Sequence, residues 1–239
     1  MKHPTPSPHH ISVSRTARYF TVGEIRPDVT EVWFGLHGYG QTALEFVQPF
    51  RAHYREDRLV ISPEALSRFY RRNRDHEIGA SWMTSEDRKV EIRDYVDYLN
   101  RLYEGLVEQG INKDASVVVL GFSQGAATAS RWLASGTVFA SRLILWGGLP
   151  AFELCDENFQ TSVSAVSTTL VTGTSDQYMP PDRAKEVASL ISIDDRPVKT
   201  LIYDGPHEIN PAMLTQLMGE DLGKSVSDNM ADILSDDEA

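Results

Sequence analysis

Hydrophobic residues along this chain collect in six short runs separated by longer polar stretches. Several runs are apolar at consecutive rather than alternate positions, which is typical of parallel strands covered on both faces. The runs are Glu31–Leu36, Arg58–Ser62, Ser116–Gly121, Arg142–Trp146, Thr168–Thr172 and Val198–Tyr203. A weaker alternating pattern over His10–Ile25 predicts an additional pair of strands at the sheet edge.

Apolar residues at helical spacing lie between the runs. The longest helix is predicted to begin at Thr84, with Asp87 completing an approximate capping box, and to stop at Gly110. Shorter helices are predicted over Gln124–Ser135, Asp182–Ile191 and Pro211–Met218. This alternation predicts an α/β fold with a mostly parallel sheet and helices on both faces. Residues 1–220 contain no repeat or linker and are expected to form one domain.

Composition narrows the class of protein. The 239 residues include 23 basic and 34 acidic ones, for a net charge of −11, which argues against a nucleic-acid partner. No stretch of apolar residues is long enough for a membrane span, and the first residues lead into no apolar signal-peptide core. The single cysteine, Cys155, excludes an intramolecular disulfide and a multi-cysteine metal site. We therefore expect a cytoplasmic protein.

The last residues, 221–239, form an acidic tail with six carboxylates and one lysine. A solvated, flexible tail is the expected structure, and a docking helix for a partner is the alternative. The tail follows the last helical pattern and carries no chemical motif. We expect it to be dispensable for chemistry.

The strongest chemical motif is Gly121-Phe122-Ser123-Gln124-Gly125, which lies between a predicted strand and a predicted helix. In that context the G-x-S-x-G pattern predicts a nucleophile elbow, a tight turn that exposes the serine hydroxyl at the carboxyl end of the strand. The residues two before and two after the serine must be small, and both are glycine. The helix that follows offers a backbone N–H to a developing oxyanion.

A serine nucleophile needs a base, and the base needs an orienting carboxylate. His207 follows the sixth run and Asp176 follows the fifth, so both are expected at the same sheet edge as Ser123. Asp204 is the main rival for the acid, because it lies close to the histidine in sequence. The favoured triad is Ser123, Asp176 and His207.

A second oxyanion donor is expected from the turn after an earlier strand. The turn His37-Gly38-Tyr39-Gly40 has that position, and its glycines allow the backbone to approach a substrate closely. The predicted donors are the backbone N–H groups of Tyr39 and Gln124. We expect His37 to orient this turn through hydrogen bonds rather than to act as a second base.

These motifs give the chain a family resemblance. It resembles the α/β-hydrolases of the phospholipase/carboxylesterase group, which includes acyl-protein thioesterases and small bacterial carboxylesterases. The matching segments are Leu36–Gly40, Gly79–Met83, Gly121–Gly125, Gly173–Asp176 and Pro206–Glu208. Tyr39 and Gln41 differ from the aliphatic residue and the aspartate usual at these positions. The resemblance implies an α/β-hydrolase fold, the triad and donors above, and an acyl pocket lined by Trp82 and its neighbour Met83.

The expected activity is hydrolysis of carboxylic esters through an acyl-enzyme, with a small-molecule ester as substrate and no metal or organic cofactor. A thioesterase, a lysophospholipase or a small acyl-peptidase would use the same triad, and a non-catalytic receptor on the same scaffold is the alternative of another class. Residues 147–167 leave room for a loop but not for a large cap domain, so short-to-medium acyl chains are expected. The sequence is compatible with a homodimer and does not decide the oligomeric state.

The segment Arg68–Arg74 is unusually basic for an acidic protein. It is interpreted either as a cationic rim for anionic substrates or as a solvated loop paired with local acids such as Asp75, Glu77 and Glu86.

Overall fold

In the computed structural model, residues 5–72, 76–135, 138–151, 153, 166–192 and 198–219 are described. The strands in these residues are β1 (Tyr19–Val22), β2 (Glu31–Leu36), β3 (Arg58–Pro63), β4 (Ser67–Tyr70), β5 (Ile78–Ser81), β6 (Ser116–Phe122), β7 (Arg142–Trp146), β8 (Ser167–Gly173) and β9 (Lys199–Tyr203). The helices are α1 (Ala43–Val47), α2 (Arg88–Glu108), α3 (Gln124–Ala134), α4 (Pro181–Ile191) and α5 (Pro211–Gly219), with a 3₁₀ helix at Gln48–His53.

Seven of these strands form one sheet in the order β1-β3-β2-β6-β7-β8-β9, and β4 pairs with β5 in a separate hairpin. β1 runs antiparallel to β3 at one edge, and every other pairing in the large sheet is parallel. The predicted α/β architecture is therefore confirmed. No large cap domain is present among the described residues, and the predicted acidic tail lies outside them.

The six predicted strands are confirmed, but there are three local errors: two predictions are wrong and one hairpin was not predicted. The segment His10–Ile25 contributes a single strand, β1, instead of a pair. The hairpin β4–β5 was missed, because its two strands have only four residues each and the first is half exposed, so neither carries a strong apolar run. The third error concerns the start of α2.

Helix α2 begins at Arg88 rather than at Thr84. Asp87 occupies the N-cap position with φ of 47°, a left-handed conformation in which its side chain accepts no capping hydrogen bond. Thr84 instead bonds the carboxylate of Glu91 through its hydroxyl group and its backbone N–H. The capping box predicted from Thr84 and Asp87 is absent for that reason.

Side chains alternate between the two faces of the sheet, so each strand contributes to two apolar layers. Val32, Phe34 and Leu36 of β2 pack toward α2, α3 and α4, whereas Trp33 packs toward α1, the 3₁₀ helix and α5. Helices thus cover both faces, which explains the continuously apolar strands. None of the helices in the described part of the chain is both long and apolar enough to cross a bilayer.

A buried ion pair ties the amino ends of β2 and β3 to the last helix. The Arg58 Nε atom lies 2.7 Å from the Glu31 carboxylate, and Arg58 also donates to the carbonyl of Met218 at 2.6 Å. Arg142 donates to the neighbouring carbonyl of Leu217 at 3.0 Å. Two buried guanidinium groups therefore satisfy carbonyls at the carboxyl end of α5, where positive charge also complements the helix dipole.

We expect Arg58→Met to lower the free energy of unfolding by about 3–5 kcal/mol, because it leaves the buried Glu31 carboxylate without its main cation. Urea unfolding followed by tryptophan fluorescence measures the change. Arg93→Met is the matched control, since Arg93 is exposed beside Asp94 and should cost less than about 1 kcal/mol. Equal stabilities of the two variants would contradict the anchoring role of the ion pair.

Candidate active site

The order of the strands places a crevice between the carboxyl ends of β2 and β6. From β2 the chain passes to β3 on one side, and it returns through the hairpin and α2 to enter β6 on the other side. The loops that follow β2 and β6 consequently diverge, and such a switch point is where open α/β sheets bind ligands. Tyr39 follows β2 and Ser123 follows β6, so the two residues flank this crevice.

Ser123 lies on a strained turn between β6 and α3. Its φ of 53° and ψ of −115° are sparsely populated for a residue with a side chain. Its backbone N–H donates to the carbonyl of Trp146 at 2.8 Å. A Cβ atom on Gly121 would collide with the carbonyl of Gly125, and one on Gly125 would collide with the carbonyl of Leu36. Both positions therefore require glycine, and the turn is the tight elbow that the motif predicts.

His207 and Asp176 meet at the same sheet edge. The Nδ1 atom of His207 lies 2.7 Å from the Asp176 carboxylate, which leaves Nε2 without a partner among the described residues. The other carboxylate oxygen accepts the backbone N–H groups of Tyr178 and Met179 at 2.8 and 2.9 Å. Asp176 is thus a fixed acceptor that holds the Nδ1–H tautomer of the imidazole.

The rival acid, Asp204, has another partner. Its carboxylate accepts the hydroxyl of Thr174 at 3.0 Å, away from the histidine. The loop that carries His207 is held instead by Tyr203, whose hydroxyl lies 2.7 Å from the carbonyls of both Pro206 and Glu208. Sequence reasoning missed this role of Tyr203, because a tyrosine at the end of an apolar run looks like an ordinary strand residue.

Two glycines at the end of β7 let the serine and the histidine approach each other. A Cβ atom on Gly147, whose φ is 57°, would lie 2.8 Å from the His207 ring and 3.1 Å from the Asp176 carboxylate. A Cβ atom on Gly148 would collide with the Ser123 carbonyl. Sequence reasoning missed this role of the pair, although two successive glycines at the carboxyl end of a parallel strand are a signal of close approach.

Phe122, the residue before the serine, contacts the histidine: the centroid of its ring lies 4.7 Å from that of the His207 imidazole. The Ser123 hydroxyl makes no hydrogen bond to His207 or to any other described residue. Contacts of this kind are commonly long before a substrate binds. The structure brings all three predicted residues to one edge, with the acid–base half of the arrangement already hydrogen-bonded.

Two backbone N–H groups at the crevice lack acceptors. Tyr39 and Gln124, the predicted oxyanion donors, make no backbone N–H hydrogen bond within the described residues, whereas the neighbouring N–H of Gly40 donates to Ala80 at 2.8 Å. The side chain of Gln41 accepts the N–H of Gly38 at 2.8 Å and so braces the turn. Gln124 is the first residue of α3, where a backbone N–H has no acceptor within the helix, so both groups are available to a developing oxyanion.

His37 is a buried structural histidine. Its Nδ1 donates to the carbonyl of Gly38 at 2.8 Å, and its Nε2 accepts the N–H of Ala65 at 3.1 Å. Burial lowers its pKa to about 4, against a smaller opposing effect of the Gly38 carbonyl. The ring is therefore neutral and orients the turn through hydrogen bonds, which confirms that prediction.

The side chain of Trp82 lies in the core, and the expected role of Trp82 and Met83 in an acyl pocket stays a prediction. Trp82 is 2% exposed, and its indole N–H donates to the carbonyl of His37 at 2.8 Å. The side chain of Gln124 accepts the N–H of Trp82 at 3.0 Å and donates to the carbonyl of Met83 at 2.8 Å. The half-buried Met83 also contacts Arg131 through its sulfur. Trp82 and Met83 therefore hold the turn His37–Gly40 and the elbow together.

The open space beside the crevice has a different lining. A groove of about 770 Å³ is bounded by Tyr39, Gly40, Gln41, Glu45, Phe69, Tyr70, Arg71 and Arg72. The basic segment thus contributes Phe69, Tyr70, Arg71 and Arg72 to this groove, while residues 73–75 lie outside the described residues. Arg71 pairs with Glu45 and Glu77, as the solvated-loop interpretation expected of Glu77.

A serine on a strained strand-to-helix turn, a carboxylate-bound histidine and the mostly parallel sheet define an α/β-hydrolase fold. The profile of the Phospholipase/Carboxylesterase family matches residues 19–219, and the chain belongs to this family. Membership assigns it to the esterase and thioesterase class of hydrolases.

Solved structures with the same fold are only distantly similar in sequence. Acyl-protein thioesterase 2 from Zea mays has 18% identity and a TM-score of 0.62, covering 85% of this chain and 96% of its own. A carboxylesterase from Mesorhizobium loti has 17% identity and a TM-score of 0.61, with coverages of 85% and 95%. A phospholipase/carboxylesterase from Dyadobacter fermentans has 18% identity and a TM-score of 0.59, with coverages of 89% and 99%. No curated protein matches the chain significantly.

The neutral state of His37 makes stability depend on pH. The pKa of this side chain is about 4 in the folded protein and 6.5 in a free reference, so the unfolded chain binds the extra proton first. Its contribution is complete above about pH 6.5 and is lost as the pH falls toward 4. We expect the free energy of unfolding to drop by about 2 kcal/mol between pH 7 and pH 5, measured by urea unfolding.

His37→Gln, which cannot titrate, should be less stable at pH 7 but flatter over the same range. His76→Gln is the control, because His76 is exposed and its loss should leave the slope unchanged. A wild-type stability that is constant from pH 7 to pH 5 would show that His37 is not buried as a neutral ring.

Proposed function

We propose that this protein is a serine carboxylesterase that hydrolyses short-to-medium acyl esters through an acyl-enzyme. Ser123 attacks the carbonyl carbon, and Nε2 of His207 accepts the serine proton. Asp176 holds the imidazole through Nδ1 and stabilises the imidazolium that forms. The N–H groups of Tyr39 and Gln124 bind the oxyanion. His207 then protonates the leaving alcohol, and water releases the acyl group by the same steps in reverse.

The observation that carries this proposal is the joint arrangement at the carboxyl ends of β2, β6, β8 and β9. Each strand end supplies one part: an unsatisfied N–H, an elbow serine, a carboxylate and a histidine already bonded to that carboxylate. A receptor on the same scaffold would have no need for the whole set in register. The set therefore supports an enzyme over a binding protein.

The preference for shorter acyl chains rests on how little covers the crevice. Residues 147–166 separate β7 from β8, and this connection is too short for a separate cap domain. Tyr39 is 63% exposed beside the crevice, which is consistent with open access.

An acyl thioesterase is the second candidate, because the maize protein with the same fold is an acyl-protein thioesterase. A lysophospholipase also falls within the family's description. Both would use the same residues in the same roles, so they differ from the first proposal only in substrate.

We expect Ser123→Ala and His207→Ala each to lower kcat by about 10⁴–10⁶-fold on 4-nitrophenyl butyrate, with no further loss in the double variant, because the two residues act as a unit. Asp176→Asn should cost about 10⁴-fold by favouring the wrong tautomer. Asp204→Asn is the matched control and should stay within a few-fold of wild type.

An organophosphonate should label Ser123 alone, as located by peptide mass spectrometry. Labelling of another serine, or an inactive Asp204→Asn beside an active Asp176→Asn, would refute this assignment of the residues.

The substrate class is tested with matched compounds. Across 4-nitrophenyl esters, kcat/KM should peak between four and eight acyl carbons and be at least about tenfold lower at sixteen, because the described residues form no closed apolar channel that would shelter a long chain. Phenyl butyrate and S-phenyl thiobutyrate separate the two candidates, and the oxygen ester should be hydrolysed at least as well. A tenfold preference for the thioester would favour the thioesterase.

A further inference from the structure

The groove beside the oxyanion turn has aromatic walls that are open to solvent. The ring of Tyr39 is 63% exposed and stacks on Phe69, with centroids 5.2 Å apart and planes 28° from parallel. Tyr70, on the same hairpin, is 69% exposed. The groove has a volume of about 770 Å³, which falls in the range of sites that hold small molecules. A planar or apolar body would find its contact surface here.

Among the described residues of the same groove, Arg72 is a cation without an ion-pair partner. Arg71, by contrast, contacts both Glu45 and Glu77, so its charge is more than balanced by these two carboxylates. The pKa of Glu45 lies below its ordinary value, because the Thr42 N–H and Arg71 outweigh the effect of burial. Arg72 is exposed on the groove and forms no ion pair with any described residue.

An isolated cation at this place is informative because the chain as a whole is acidic, with a net charge of −11. A general electrostatic attraction for anions is therefore absent, and recognition of a negative group must be local. A guanidinium group presents parallel N–H donors that match the two oxygens of a carboxylate. The aromatic pair and Arg72 together fit a molecule with an apolar body and one anionic end.

We propose that this groove binds the carboxylate-bearing end of the ester substrate, with Arg72 pairing the carboxylate and the Tyr39–Phe69 stack contacting the adjoining apolar part. The position of that end relative to the scissile bond rests on the proposed function, because the backbone N–H of Tyr39 is an oxyanion donor there. The physiological substrate is accordingly a half-ester or an ester of a carboxylated alcohol, rather than a neutral ester.

Two matched substrate pairs test the proposal and locate the anionic end. Mono(4-nitrophenyl) adipate is compared with 4-nitrophenyl hexanoate for the acyl side, and 4-carboxyphenyl butyrate with 4-carbamoylphenyl butyrate for the alcohol side. In one pair the anionic member should have a KM about 3- to 10-fold lower than its neutral partner. The preference should weaken as salt rises, because the contact is exposed. Equal KM values in both pairs would overturn the proposal.

Variants then connect the preference to its residue. Arg72→Gln should abolish the difference in KM, with kcat changed less than about twofold, and Arg72→Lys should restore part of it. Arg101→Gln, which removes the same charge from an exposed site on α2, is the control and should keep the full preference. A preference that survives Arg72→Gln would overturn the assignment to this side chain.

A binding measurement separates this proposal from the proposed function. Calorimetry on Ser123→Ala protein should show that 4-phenylbutyrate binds several-fold more tightly than 4-phenylbutyramide, and that adding Arg72→Gln removes the difference. This result needs no catalysis, so it stands even if the Ser123→Ala enzyme proves as active as wild type and the proposed function fails. Equal binding of acid and amide would overturn the groove proposal while leaving the proposed function intact.

Discussion

The adjacency of β2 and β6 is the constraint on which the whole candidate site depends. Their parallel pairing runs from Glu31 opposite Ser116 to Leu36 opposite Gly121, so both strands end at the same level of the sheet. The turn after one strand and the elbow after the other are then forced into contact, close enough that residues with side chains would collide there. Gln124 is the first residue of α3, so its N–H has no acceptor within the helix, and Tyr39 lies in the turn beyond the end of β2.

Hydrogen bonds from side chains keep the junction rigid. His37 bonds the turn to the segment after β3, Trp82 bonds the carbonyl of His37, and Gln124 bonds the backbone of Trp82 and Met83. Gln124, the first residue after the elbow serine, thus ties the elbow through its side-chain amide to the segment that follows the hairpin. Strain at Ser123 persists because these contacts over-determine its surroundings, as is usual where a backbone conformation is costly.

The two ends of the sheet carry different kinds of polar interaction. At the amino ends, Glu31, Arg58 and Arg142 are buried, and the two arginines donate to carbonyls of the last helix. At the carboxyl ends, several polar groups have no partner among the described residues: the Nε2 atom of His207, the Ser123 hydroxyl and the two backbone N–H groups. In α/β folds stability and chemistry commonly separate in this way, since parallel strands direct all their following loops to one edge.

Local sequence determined the six main strands, the four longest helices apart from the start of α2, and the elbow motif. Continuous apolar runs and paired glycines report on burial and tight turns within a few residues. It also correctly predicted that Ser123, Asp176 and His207 each follow the end of a strand. It missed the hairpin β4–β5, because both strands have only four residues and β4 is half exposed, so neither carries a strong apolar run.

Only the tertiary structure decided which strands are neighbours, and with them the partners of each side chain. Asp176 rather than Asp204 bonds His207, although Asp204 is nearer in sequence. The Asp204 carboxylate instead accepts the hydroxyl of Thr174, which follows the neighbouring strand. The side chain of Trp82 lies in the core, and the groove is lined by the hairpin and by Tyr39 and its neighbours. Such outcomes depend on contacts between residues far apart in the chain, which local patterns of polarity do not encode.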